Sequence, residues 1–169
     1  MRAQSSLAAV LASIFAPLAC VDLVHEDKVQ ALGGETPGLP PGPLHRPGQP
    51  CVTCHGGSGP ASLQLSIAGT VYVTQGASDP AVGAQVQIKD INGTILNAKT
   101  NESGNFYVTP GEWQPKYPLQ IQVSLNSSQQ AMISVINRDG SCADCHGPAP
   151  GPRSPGPIYL NRAPMKGGM

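Results

Sequence analysis

Residues 119–125 read Leu-Gln-Ile-Gln-Val-Ser-Leu, so that apolar and polar side chains alternate over seven positions. This period of two is typical of a β-strand with one buried and one solvated face. Residues 84–89 repeat the pattern, with Val86 and Ile88 between polar neighbours. The two stretches therefore predict strands that cover one side of a small core.

Turn signals divide the chain around these stretches into further short strands. Asn92-Gly93 favours a tight hairpin, and Glu-Ser-Gly-Asn at 102–105 marks another turn. Six strands are predicted, and their spacing indicates an all-β fold, a small antiparallel sandwich. The strands lie near residues 66–74, 84–89, 94–100, 105–109, 118–125 and 130–136.

The charge composition excludes several classes of function. Ten basic side chains balance ten acidic ones in 169 residues, which leaves no excess for a nucleic-acid backbone or an anionic membrane surface. Beyond the first twenty residues no apolar stretch reaches about 18 positions, so a bundle of membrane-spanning helices is excluded. The sequence also lacks a Ser–His–Asp set and a phosphate-binding loop.

The first nineteen residues have the pattern of an export signal, in which Arg2 precedes the apolar run 7–18. A small residue and then Cys20 follow this run, which resembles a bacterial lipobox, although Pro17 stands where Leu is expected. The resemblance implies a lipid on Cys20 that anchors an exported lipoprotein. Such a protein is periplasmic or on the cell surface, and we expect the outer membrane. Plain secretion is the alternative.

The other four cysteines form two pairs, and a histidine directly follows each pair. Residues 51–55 read Cys-Val-Thr-Cys-His and residues 142–146 read Cys-Ala-Asp-Cys-His. Both match C-x-x-C-H, the attachment motif of c-type haem, in which two thiols bind the macrocycle and the histidine supplies the proximal nitrogen to iron. The sequence thus predicts two haem c groups. The attachment residues are Cys51, Cys54 and His55 for one and Cys142, Cys145 and His146 for the other.

Two other uses of these cysteines stay open. A zinc site could combine both pairs, although a whole sandwich separates them and the histidine after each pair would be unexplained. Two local disulfides are also compatible with an exported protein, although a CxxC loop is strained and more often redox-active than structural.

The distal ligands of the two irons are less clearly marked. His25 and His45 are the histidines outside the motifs, one for each iron. His45 is better placed, because it lies in a proline-rich turn shortly before Cys51, whereas His25 is equally consistent with a solvated loop. The methionines at 132, 165 and 169 compete with them. Met132 is predicted to lie in the core, and the other two lie in a loose tail.

Three stretches of the predicted sandwich resemble the carboxypeptidase regulatory-like module, a transthyretin-like β-sandwich. They read Gly-Thr-Val-Tyr at 69–72, Val-Gly-Ala-Gln-Val at 82–86 and Thr-Asn-Glu-Ser-Gly-Asn-Phe-Tyr at 100–107, within a match over 66–125. This module is a scaffold, so the resemblance implies the fold and no activity. With glycine and proline beside each C-x-x-C-H motif, the chain is similar to small dihaem c-type cytochromes that carry such a sandwich.

The second resemblance implies an exported electron-transfer protein whose partners are redox proteins, including other cytochromes, with a lipid anchor to the membrane. A haem enzyme of the peroxidase or reductase type is the alternative if one iron has an open position, and Arg46 is the nearby cation. A zinc-stabilised surface binding module is the third hypothesis. We do not expect a nucleic-acid partner.

Composition divides the chain into five segments. Glycine and proline number 20 and 18, and residues 33–60 and 147–169 are rich in both, so these stretches are predicted to be irregular. The segments are a signal peptide at 1–19, a Pro/Gly-rich linker at 20–47, a first haem segment at 48–62, the β-sandwich at 63–138, and a second haem segment with a tail at 139–169.

The strand count predicts how the two motifs are placed. If neighbouring strands run antiparallel, six strands between the motifs return the chain to the end where it entered. Both haems are then expected at one end of the sandwich, whereas seven intervening strands would separate them by about 17–20 Å, the length of a strand.

Overall fold

The computed structural model describes residues 22–35, 37–38 and 41–161. In this part of the chain seven strands dominate and three helices are short. The strands are β1 (Ile67–Thr74), β2 (Gln85–Lys89), β3 (Ile95–Lys99), β4 (Asn105–Val108), β5 (Gln120–Leu125), β6 (Ser128–Ala131) and β7 (Ile158–Asn161). The helices are α1 (Leu23–Ala31), α2 (Cys51–His55) and α3 (Cys142–Cys145).

The strands form two sheets, which confirms the predicted all-β sandwich. One sheet is antiparallel with the order β3-β2-β5-β6, and the other has the order β4-β1-β7. In the second sheet β1 pairs antiparallel with β4 but parallel with β7. The prediction of a purely antiparallel fold is therefore wrong at β7.

The alternating stretches pair with each other as their pattern requires. Val86 lies opposite Val123, and Ile88 opposite Ile121, across the β2–β5 pair. All four side chains are buried, while Gln120, directly before Ile121, is exposed. Full burial of one such side chain stabilises a fold by about 1.5–3 kcal/mol. The main apolar side chains of the core are Ile67, Val71, Val86, Ile88, Phe106, Val108, Leu119, Ile121, Val123 and Leu160.

The sixth strand is earlier and shorter than the predicted 130–136. Asn126 adopts a left-handed backbone with φ of 53°, so the chain turns immediately and Leu125 faces Ser128. Beyond β6, the Met132 amide donates to the Ile121 carbonyl oxygen at 2.9 Å, and a bridge joins Leu119 with Ile136. Met132 packs against the core, as the sequence predicts.

The seventh strand lies in the tail that was predicted to be irregular, and that prediction is wrong for four residues. Leu160 is buried in the core, and Tyr159 pairs with Tyr72 of β1. Pro157 directly precedes the strand, a position at which proline is tolerated. The apolar run is short because β7 is an edge strand with a single partner.

A helix also forms in the predicted linker. The side chain of Asp22 caps α1 by accepting a hydrogen bond of 3.1 Å from the backbone N–H of His25. At the other end, the Arg46 guanidinium donates to the carbonyl oxygens of Leu32 and Gly33 at 3.2 and 2.6 Å. These bonds satisfy carbonyl groups that a helix end leaves without partners. No helix in the described ranges has the length and apolarity to cross a bilayer.

Candidate cofactor-binding sites

Both C-x-x-C-H segments form single-turn helices that pack beside β1. After α2 the chain folds back, and the amides of Ala61 and Leu65 donate to the carbonyl oxygens of Cys54 and His55 at 3.0 and 2.6 Å. A Cβ atom on Gly59 would collide with the Cys54 carbonyl, so this return requires glycine. These local hydrogen bonds hold the backbone of the first motif in place.

The second motif is fixed to the same strand. The Ala68 amide of β1 donates to the Gly140 carbonyl oxygen at 2.9 Å, and Ser141 forms a parallel bridge with Ala68. A Cβ atom on Gly140 would overlap the backbone of Ser66, which explains the glycine here. Six strands lie between the two motifs, as the sequence predicts, and β7 follows the second one.

The two motif histidines are held in the same way. The Nδ1 atom of His55 lies 2.8 Å from the Leu63 carbonyl oxygen, and that of His146 lies 2.9 Å from the Gly156 carbonyl oxygen. A carbonyl oxygen only accepts, so in the neutral ring the proton is on Nδ1. Each ring therefore keeps Nε2 unprotonated, which is the state in which imidazole binds a metal.

A cavity of about 590 Å³ lies against the first motif. Cys51, Cys54 and His55 line one part of it, and apolar side chains such as Leu65 and Phe106 line another. Pockets for cofactors and other small molecules typically measure about 300–1,000 Å³ and are mostly apolar. In size and in lining, this cavity fits a macrocycle bound through the first motif.

His45 lies in the same cavity, facing His55. The centroids of the two imidazole rings are 5.8 Å apart, and the ring planes meet at 70°. A metal–imidazole bond is about 2 Å long, so two rings bound to one ion have centroids about 6 Å apart. The structure thus brings together the motif histidine and the distal histidine that the sequence favours.

No family model, curated protein or solved structure matches this chain.

His25 occupies a different place. It lines a small cavity of about 130 Å³ between α1 and the two motifs, together with Lys28, Thr53, Asp139 and Asp144. Its Nε2 atom is buried and has no hydrogen-bond partner in the described ranges. The structure therefore does not bring His25 into the large cavity with His45.

That small cavity also shows how close the two motifs are. Val52 and Thr53 of the first motif line it with Asp144 of the second. Burial and the neighbouring carboxyl group of Asp139 raise the pKa of Asp144 to about 6. This pair of acidic groups was not identified from the sequence, because nothing in it marks Asp139 as a neighbour of Asp144.

The two thiols of the second motif differ in accessibility. Cys145 is exposed, whereas Cys142 is buried in the core, where a Cβ atom on Gly69 would lie 2.9 Å from its Sγ atom. Burial raises the pKa of Cys142 to about 12, and the thiol of Cys51 contributes to this rise. Burial also raises the pKa of Cys51. The second motif therefore presents one exposed and one buried thiol.

The same residues bear on the two alternatives, a zinc site and a pair of disulfides. The four cysteines of the two motifs are free thiols. Over residues 22–35, 37–38 and 41–161, no three His, Cys, Asp or Glu side chains gather in a group that could hold a metal ion by themselves. Cys20, Met165 and Met169 lie outside the described residues.

Arg46 has a structural role in addition to its position next to His45. Its guanidinium donates to the Gln49 side chain at 2.8 Å and to Glu35 at 3.1 Å, besides the two carbonyl groups at the end of α1. These bonds hold the end of α1, including Leu32 and Gly33, at the wall of the large cavity.

Proposed function

We propose that this protein is an exported electron-transfer protein that binds two haem c groups covalently. The proposal includes a lipid anchor on Cys20, an outer-membrane location, and redox proteins such as other cytochromes as partners. The supporting observation is the matched state of His55 and His146, each bonded through Nδ1 to a backbone carbonyl oxygen, directly after a Cys pair. Because both imidazole rings carry the Nδ1 proton and leave Nε2 unprotonated, the two motifs favour the same chemistry.

Within this chain, the thiols of each motif are the groups that would form the covalent attachment. Each thiol would add its S–H across a vinyl group, forming a C–S bond and delivering the proton to the adjacent carbon without a change in oxidation state. When bound, haem supplies a one-electron cycle between ferrous and ferric iron. The chain holds Nε2 of His55 toward the cavity site by fixing Nδ1 on the Leu63 carbonyl oxygen.

The surroundings of the first site also suit electron transfer. Leu65 and Phe106 are buried and line the cavity, so they exclude water from this wall. A low dielectric limits the reorganisation of solvent around a changing charge. His45 opposite His55 favours two imidazole ligands, which leave an iron no open position for a substrate. We therefore favour the electron carrier over the haem enzyme.

The test is to count the haems. The protein is produced in a bacterial host with c-type haem maturation, and its denatured mass and pyridine haemochrome spectrum are measured. We expect two covalent haems per chain and negligible carbon monoxide binding by the reduced first site. A chain with no haem and bound zinc would overturn the proposal, and a reduced first site that binds carbon monoxide fully would favour the haem enzyme.

A further inference from the structure

Glu35 faces two consecutive side chains at the wall of the large cavity. Its Oε1 atom lies 3.4 Å from Nδ1 of His45 and 3.1 Å from Nε of Arg46. The His45 Nδ1 atom is buried and has no hydrogen-bond partner in the described ranges. The Glu35 carboxylate is therefore the charged group that faces this otherwise unpartnered ring nitrogen.

The backbone of the turn explains how neighbouring side chains reach one carboxylate. Arg46 has φ of 49°, a left-handed conformation that a non-glycine residue adopts only when its surroundings enforce it. Here the buried Asn105 side chain donates to the His45 carbonyl oxygen at 2.9 Å, and the Gly48 amide donates to the Thr70 hydroxyl at 2.7 Å. Strands β1 and β4 therefore hold this turn in place.

The partner of His45 differs in charge from those of the two motif histidines. His55 and His146 donate from Nδ1 to neutral carbonyl oxygens, whereas Nδ1 of His45 faces a carboxylate. A carboxylate on the far nitrogen makes imidazole a more basic metal ligand and fixes its orientation. A more basic ligand stabilises the ferric state relative to the ferrous state.

We propose that Glu35 is a positioning residue of the first site, which holds Nδ1 of His45 and lowers the reduction potential there. This inference rests on the proposed function. Arg46 has the supporting role of keeping the carboxylate in place, because it binds the same oxygen atom and is itself anchored on the end of α1. The second site has a separate potential, since His146 faces only the Gly156 carbonyl oxygen.

The experiment uses the full chain with Cys142→Ala and Cys145→Ala, so that only the first haem is attached and its midpoint potential is read alone. Glu35→Gln keeps the shape and an accepting oxygen but removes the charge. We expect a low-spin spectrum as in the parent and a more positive midpoint potential. Glu26→Gln is the matched control, because it removes the same charge from an exposed position on α1.

Glu35→Ala provides a second measurement that separates orientation from charge. Without an acceptor for Nδ1, His45 is held less firmly, so we expect a larger fraction of the reduced first haem to bind carbon monoxide. The inference is overturned if Glu35→Gln and Glu26→Gln leave the same midpoint potential, or if Glu35→Ala binds no more carbon monoxide than its parent. Absence of any attached haem would instead overturn the proposed function.

Discussion

The thiol of Cys142 belongs both to the hydrophobic core and to the second C-x-x-C-H motif. Its thiol packs beneath Gly69 and Phe106 inside the sandwich, where water does not solvate a thiolate. The folded chain therefore strongly prefers the neutral thiol. This preference makes the stability of the haem-free protein depend on pH.

The direction of that dependence follows from the pKa of Cys142, which folding raises from 9.0 to about 12. The stabilisation is complete below pH 9 and is lost as the pH rises toward 12, because the unfolded chain releases the proton first. Between pH 9 and 10 we expect the free energy of unfolding of the haem-free protein to fall by about 1 kcal/mol from this group alone, because the thiol of the unfolded chain is already half ionised at pH 9.

Urea unfolding at several pH values measures the effect. Cys142→Ala should show a shallower decline above pH 9 than the parent, whereas Cys145→Ala, at an exposed thiol, should retain the full decline. The raised pKa values of Tyr72 and Tyr117 add a decline common to all three proteins. Equal slopes for Cys142→Ala and the parent would show that the thiol is not desolvated.

At the scale of single elements, the turn of residues 41–49 carries His45 to His55. We expect His45→Ala, in the variant that retains only the first haem, to convert that haem to a high-spin form that binds carbon monoxide. The absorption spectrum of the reduced protein with and without carbon monoxide measures this. His25→Ala in the same background is the control, because His25 lines the other cavity. A low-spin spectrum in His45→Ala would rule out His45 as the ligand.

The strands that the sequence predicted well are those marked by alternating side chains or by turn signals on either side, including the edge strands β3 and β4. In β2 and β5 buried side chains alternate with more exposed ones, so the period of two is clear. β7 has one partner and one fully buried apolar residue, Leu160, so its pattern is too short to distinguish from a loop. α1 has no buried residue, and its sequence therefore carries no helical apolar period that would have revealed it.

The sequence predicted those parts of the candidate site that lie close together along the chain. The two C-x-x-C-H motifs are local, so spacing alone identifies their residues, and His45 lies near enough to the first motif to be noticed. Glu35 meets His45 across the turn of residues 41–49, in which Arg46 has a left-handed backbone. Contacts of this kind arise from tertiary structure and leave no mark on the local sequence.

At the scale of the whole molecule, both motifs lie at the same part of β1. Their side chains line one small cavity, and the thiol of Cys51 affects the pKa of Cys142. The proposed function then implies that the two irons interact electrostatically, because oxidation of one adds a positive charge near the other. Oxidation of the second iron becomes harder.

Redox titrations of three proteins test this interaction. The parent has both haems, one variant has Cys51→Ala with Cys54→Ala, and the other has Cys142→Ala with Cys145→Ala. We expect each variant to lose one haem and keep the spectrum of the other. We also expect the two midpoint potentials of the parent to lie further apart than those of the two variants. A parent titration equal to the sum of the variants would show that the sites are independent.

The parallel pairing of β7 with β1 bears on the order of folding and haem attachment. Residues 142–157 are bounded by Ser141 and Ile158, and both of these pair with β1, so the second motif lies in a loop that folding closes at both ends. In the folded chain the Cys142 thiol is buried among core residues such as Phe106. The first motif stays open to its cavity in the folded state. On the proposed function, we expect haem to attach at the second motif while this loop is still open, because the Cys142 thiol is buried in the folded chain.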